Sequence, residues 1–464
     1  MSRNPSRWTR RALLAGGASG LAGLWLWRSG FLSSTLDGPI EWLLSRTSFG
    51  ATAASLDRAK SLGYEETLEE QLHPESLDDD SLERRLSVFS TLGLSGPELK
   101  PLPGEAIVRE LVAARLVRAI ESRRQLFERI VDFWSDHFNV NHVKGQVPRF
   151  KTLDDRDVIR RHAFSRFEDL LRASAHSPAM LYYLDNHLNT ASGPNENYAR
   201  ELLELHTVGI DAGYSQRDVE EMARVLTGWS VDESEQRFGT FRFDSAEHDA
   251  SAKRVLGVEL PAGGFEDEGE RMITHLAAHP SASRFLATKL VRHFISEEAP
   301  EAVVRRVAER FSETQGDLRA TYRELFSRSS IEAARPLVTR PVHFFALVAR
   351  RTQARYQPHR ALETFEIPLR EMGQVPFQWK TPDGYPVEAC DWISALLPRW
   401  KFAFDVADGR VPALEVEDRH LDEASSWLRG EERALLESTL PKVSGSSERD
   451  RRAMALCAPS WHWC

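Results

Sequence analysis

From about Gly38 onward the apolar residues of this chain recur every three or four positions, and that period restricts it to packed helices. The clearest stripe is Ile107, Val108, Leu111, Val112, Leu116, Val117 and Ile120. A second runs through Phe127, Ile130, Val131, Trp134 and Phe138, with His137 at its edge, either buried beside Trp134 or facing a cavity. Only Phe238 to Phe243 alternates in the manner of a strand. The expected fold is mainly α: residues 37–464 form one large helical domain with a small β-hairpin insertion near 230–257. Boundary residues agree with this: Pro178 suits a first helical position, Ser215 with Asp218 a capping box, and His279-Pro280 a cap followed by N1. Two stretches interrupt the period, the Gly- and Pro-bearing 91–104 and the proline–aromatic 372–386. The latter either walls a pocket or closes the core.

Residues 1–36 read as an address rather than as fold. Arg3, Arg7, Arg10 and Arg11 precede an apolar run from Ala12 to Trp27, and Thr9-Arg10-Arg11-Ala12-Leu13-Leu14 resembles a twin-arginine export signal. No small-x-small cleavage site follows, so the expectation is export to the periplasm or cell surface. An uncleaved inner-membrane anchor through 12–27 is the alternative. The net charge of −9 argues against a nucleic-acid partner, which calls for a basic face. The three cysteines, Cys390, Cys457 and Cys464, have no metal-ligand spacing; Cys457 and Cys464 either pair or remain thiols.

The densest polar stretch is Asn195 to Gly209. At about 100° per residue it has two faces. Asn197, Arg200, Glu201 and Glu204 share one, while Tyr198, Ala199, Leu202, Leu203 and His206 share the other. Asn195 suits an N-cap and Gly209 a left-handed stop. Glu196, Arg200, Glu201, Glu204 and His206 are the candidate catalytic groups, since a carboxyl in an apolar setting can stay protonated and serve as a general acid. Asn195, Asn197, Trp134, His137, Trp229, His248, Asp249 and Lys253 are the candidate substrate-binding groups. Trp134, Trp229 and Trp379 are indoles able to stack on sugars, and His248, Asp249 and Lys253 lie in a loop beside the alternating stretch. A solvated helix face with ordinary ion pairs is the competing reading.

The ordered stretches carry a family resemblance. Ser45 to Thr52, Asp132 to Phe138, Asn195 to Gly209, Gly213 to Val219, Leu226-Thr227-Gly228-Trp229, His248-Asp249 with Lys253, Leu276 to Pro280, Met372-Gly373-Gln374 and Pro382-Asp383-Gly384-Tyr385 together resemble the bacterial family called domain of unknown function 1800. Ser48 departs from the usual Gly, and the tail Trp461-His462-Trp463-Cys464 differs from the usual ending. The resemblance implies a largely helical, exported protein whose gene often neighbours one of a second exported family, domain of unknown function 1501. It implies no reaction.

Three functions are therefore open. One is a periplasmic or surface hydrolase or lyase acting through these carboxylates on a polymeric, carbohydrate-like substrate. A second is a scaffold or partner of the co-exported protein. The third is a metal-dependent or redox protein using His137, Glu201, Glu204, His206 and His248. Against the third, no Glu-x-x-His occurs in the helix, and His206 faces away from Glu204. The sequence identifies no cofactor and leaves any metal unknown.

Overall fold

The structure is a computed structural model, and it describes residues 38–439 and 447–464. The export motif and the apolar run of residues 12–27 lie outside them. Helices cover most of the described residues, and the strands form three two-stranded antiparallel sheets. No helix among the described residues is long and apolar enough to cross a membrane. They divide into two compact units: 65–333 with 374–387, and 38–64 with 334–373, 388–439 and 447–464.

In the first unit the predicted stripes become helices Gly104–Glu121 and Gln125–His137. Their apolar residues are the core: Ile107, Leu111, Leu116, Ile130, Val131 and Trp134 are almost completely enclosed. The Trp134 indole is satisfied inside that core, its Nε1 donating to the Tyr322 hydroxyl at 2.6 Å, which donates in turn to Ala163 O at 2.7 Å. Charged residues of the same helices are also buried, and they are paired. Arg115 meets Asp132 at 2.8 Å, and Arg160 grips both Glu128 oxygens at 2.5 and 3.0 Å.

The alternating stretch pairs as expected and has a second hairpin beside it. Trp229–Asp232 pairs with Thr240–Phe243, and Lys253–Val255 with Val258–Leu260. Helix Glu266–Ala278 approaches so closely that a Cβ on Gly269 would fall inside the Trp229 indole. The third sheet, Arg355–Tyr356 with Leu414–Glu415, belongs to the other unit. Two residues per strand carry no alternation, so the sequence gives no sign of it. That second unit contains helices Pro39–Thr47, Pro341–Arg351, Leu396–Ala407 and Glu448–Leu456.

Candidate functional site

The Asn195 stretch begins as the residue pattern requires. The Asn195 side chain accepts from Asn197 N at 3.0 Å and caps helix Glu196–Glu201. The next turn, Leu202–His206, widens into a π-helix, a form met often at functional sites. The turn is capped at Thr207, not by a left-handed Gly209; Gly209, at φ +80° and ψ 160°, leads into the next 3-10 turn, and a Cβ there would strike the Phe285 ring. The two faces are as the wheel places them: Tyr198, Ala199, Leu202, Leu203 and His206 are buried, and Asn197 is exposed.

The polar face separates into a satisfied half and an unsatisfied one. Arg200 bonds Glu196 and Gln216, each at 2.9 Å, and lies 3.5 Å from Glu204. Glu201 is half-buried, and among the described residues no hydrogen bond or close ion pair holds its carboxylate. Burial pushes this carboxyl above its usual range; Glu204 and Asp383 add to the rise and Arg200 opposes it.

Asp383 comes from the proline–aromatic loop, which is fastened at several points. Asn139 Nδ2 donates to Trp379 O at 3.1 Å and Thr381 O at 2.7 Å, and the Tyr183 hydroxyl donates to Lys380 O at 2.8 Å. The loop can lie against the Asp136 backbone because residue 384 is glycine: its φ is +79°, and a Cβ would overlap Asp136 O. Trp379 Nε1 and Thr381 Oγ1 both donate to Asp383 Oδ1, at 3.0 and 2.6 Å. This sets a half-buried indole beside the carboxylate.

Lys289, on helix Pro280–Phe294, completes the cluster. Its Nζ lies 5.5 Å from the Phe285 ring centre, with no hydrogen bond or ion pair among the described residues. Burial lowers its pKa to about 8, against the pull of Asp136 and Asp383. Asp383 and Glu201 also act on Tyr183, whose hydroxyl is raised chiefly by burial.

Behind this face lies an enclosed histidine pair. His137 Nε2 is 3.1 Å from His206 O, and the two rings are 6.1 Å apart. Among the described residues, neither His206 nitrogen, nor His137 Nδ1, nor the Tyr198 hydroxyl has a hydrogen-bond partner. Burial, reinforced by Lys289, brings His206 down to about 3 and holds His137 well below its ordinary value. Both are therefore neutral core groups, out of contact with solvent. Among the described residues no set of three or more His, Cys, Asp or Glu is grouped to hold a metal ion.

The remaining candidates go elsewhere. Trp134 and Trp229 are completely enclosed and offer no face to a sugar; in a sequence they look no different from Trp379. His248 Nδ1 is 2.9 Å from Thr227 O, Lys253 bonds Glu268 at 2.6 Å, and Asp249 pairs with Arg224 at 2.6 Å. These three brace the hairpins and share no hydrogen bond or ion pair with Glu201, Lys289 or Asp383. Asn197 holds the helix to the preceding segment through Leu184 O at 3.1 Å. Sequence reasoning passed over Lys289, Asp383, Tyr183 and Asn139 as site groups. Asp383 alone left a signal, standing in a Pro-Asp-Gly-Tyr turn within an irregular aromatic stretch.

The family model described as "Protein of unknown function (DUF1800)" matches residues 42–462. The chain belongs to that family. No curated protein and no solved structure matches it.

Proposed function

From that membership, which assigns no reaction, we propose that the protein is an exported enzyme, a hydrolase or lyase working by acid–base chemistry on a polymeric, carbohydrate-like substrate. One observation carries the reading. Among the described residues Glu201 and Lys289 have no hydrogen-bond or ion-pair partner, both feel Asp383, and burial pushes each toward its neutral form. A protonated Glu201 donates to a departing oxygen. A neutral Lys289 amine accepts a proton, either from an attacking water or from the substrate carbon. Proton transfer from placed groups of this kind is worth roughly 10²–10⁴ in rate. The half-buried Trp379 indole supplies an apolar face for a sugar ring at the same place.

The test is release of reducing ends or unsaturated products from soluble xylan, polyuronate and peptidoglycan glycan strands. The wild-type chain should act on one of them, and Glu201→Gln should lose about a hundredfold or more while melting no lower. Full activity in Glu201→Gln, or a wild type inert on all three, defeats the reading.

A second reading rests on the ion pairs of Arg200 with Glu196 and Glu204, which suit a rigid scaffold for the co-exported domain of unknown function 1501 product. Co-purification that survives Glu201→Gln and is lost in Arg200→Gln would favour it. Export by the twin-arginine route belongs to both readings. Changing Arg10 and Arg11 to Lys should leave the protein in the cytoplasm, and normal export of that variant rejects the route.

A further inference from the structure

The second unit holds three arginines that meet no acid among the described residues. Residues 337–339 and 462–464 run side by side: Leu337 and Cys464 exchange backbone hydrogen bonds at 2.9 and 2.8 Å, and Thr339 N donates to His462 O at 2.8 Å. His462 closes the 3-10 turn Pro459–Trp461, and Trp463 bridges to Val338. Arg46 Nη1 reaches Cys464 Sγ at 3.3 Å, and Arg399 Nη1 reaches Thr339 Oγ1 at 3.4 Å. The charge of Cys464 also acts on Arg351, and Arg399 acts on His462.

Arg46 and Arg399 are essentially inaccessible, at 1% and 0% exposure. Among the described residues, buried N–H groups remain without acceptors on all three: Arg46 Nε, Arg351 Nη1, and Arg399 Nε and Nη2. No carboxylate lies within ion-pair distance of these guanidiniums among the described residues. Their neighbours are aromatic faces instead: Trp427 and Trp461 at 4.3 and 5.2 Å from Arg351, and Phe344 at 5.5 Å from Arg399. Such faces return only part of the hydration lost on burial. A guanidinium keeps its charge in proteins, and a buried charge with no counterion is strongly unfavourable.

We infer that Arg46, Arg351 and Arg399 around the 462–464 segment form a binding site for a compact oxyanion, a phosphate or a carboxylate. Guanidinium forks suit these groups because each presents paired N–H donors in one plane. The Thr339 hydroxyl and a neutral His462 N–H can supply further donors. A free phosphate ion in solution offers this chemistry.

The experiment is thermal unfolding of the full chain in millimolar sodium phosphate, with ionic strength held constant by sodium chloride. A saturable rise in Tm with phosphate means that the site takes a free oxyanion. Arg399→Gln and Arg351→Gln should abolish the rise, and Arg399→Lys should retain part of it. Arg351 is only half-buried, so its variant remains informative where Arg399→Gln does not fold. No phosphate response in the wild-type chain, or an undiminished response in Arg351→Gln, overturns the inference.

Discussion

Glu128 and Glu201 are both helical glutamates of the same unit, and their surroundings treat them in opposite ways. Glu128 is more deeply buried, at 2% exposure. Burial alone would raise its pKa, but Arg160 and Arg115 outweigh that and hold it below the usual range. The partners answer in kind: Arg160 is held above its ordinary value, with Glu128 and Asp155 overcoming its burial. Glu201 is less buried and yet is raised, by that partial burial first and then by Glu204 and Asp383, with only Arg200 opposing. Depth does not decide whether a carboxylate is structural or reactive. The decision lies in whether the packing supplies a cation at hydrogen-bond distance.

That contrast breaks if the two residues respond alike to neutralisation. Glu128→Gln should give the largest effect, a loss of about 3–5 kcal/mol in urea unfolding, because it strands buried arginines. Glu128→Gln combined with Arg160→Met should cost less than the sum of the two single changes, since they share one interaction. Additive losses would mean that the pair is not a unit.

The histidine floor behind Glu201 should come next in size. The folded pKa of His206 is about 3, against an ordinary 6.5, so its stabilising contribution is complete above pH 6.5 and is lost as pH falls toward 3. At pH 5 the loss attributable to His206 is about 2 kcal/mol. His206→Phe should flatten that part of the stability–pH curve, as urea midpoints at pH 7 and 5 would report. An unchanged slope means that another histidine carries it.

Lys289→Met should have the opposite sign to Glu128→Gln. The folded pKa of about 8 lies below the ordinary 10.5, so the native state disfavours the ammonium. The variant should gain on the order of 1 kcal/mol at pH 7. That gain should disappear between pH 8 and 10.5, where the wild-type lysine sheds its proton. Glu201→Gln should have the smallest effect, within about 0.5 kcal/mol of wild type. Its sign should be stabilising above pH 4.5, where a raised carboxyl costs the native state stability. A clear destabilisation of either variant would place Glu201 and Lys289 with the structural ion pairs after all.

The sequence by itself determined what neighbours within a turn or two decide. The helices over 104–121 and 125–137, the caps at Asn195, Ser215 and His279, and the two faces of the 195–206 stretch were all legible. Each depends on a spacing of two to four residues, the range over which side chains on one helix meet. Tertiary structure alone decided which carboxylate goes unpartnered. Glu201 and Glu204 share one face of the wheel with Arg200, but Arg200 reaches Glu204 at 3.5 Å and joins Gln216 on Glu196, and neither holds Glu201. Asp383 acts on Glu201, and Lys289 on Asp383, from distant parts of the chain through the fastening of one loop and the packing of one helix. Burial likewise separates Trp379 from Trp134 and Trp229. Whether a charge is paired, or a ring is covered, depends on segments remote in the chain, and no local pattern records that.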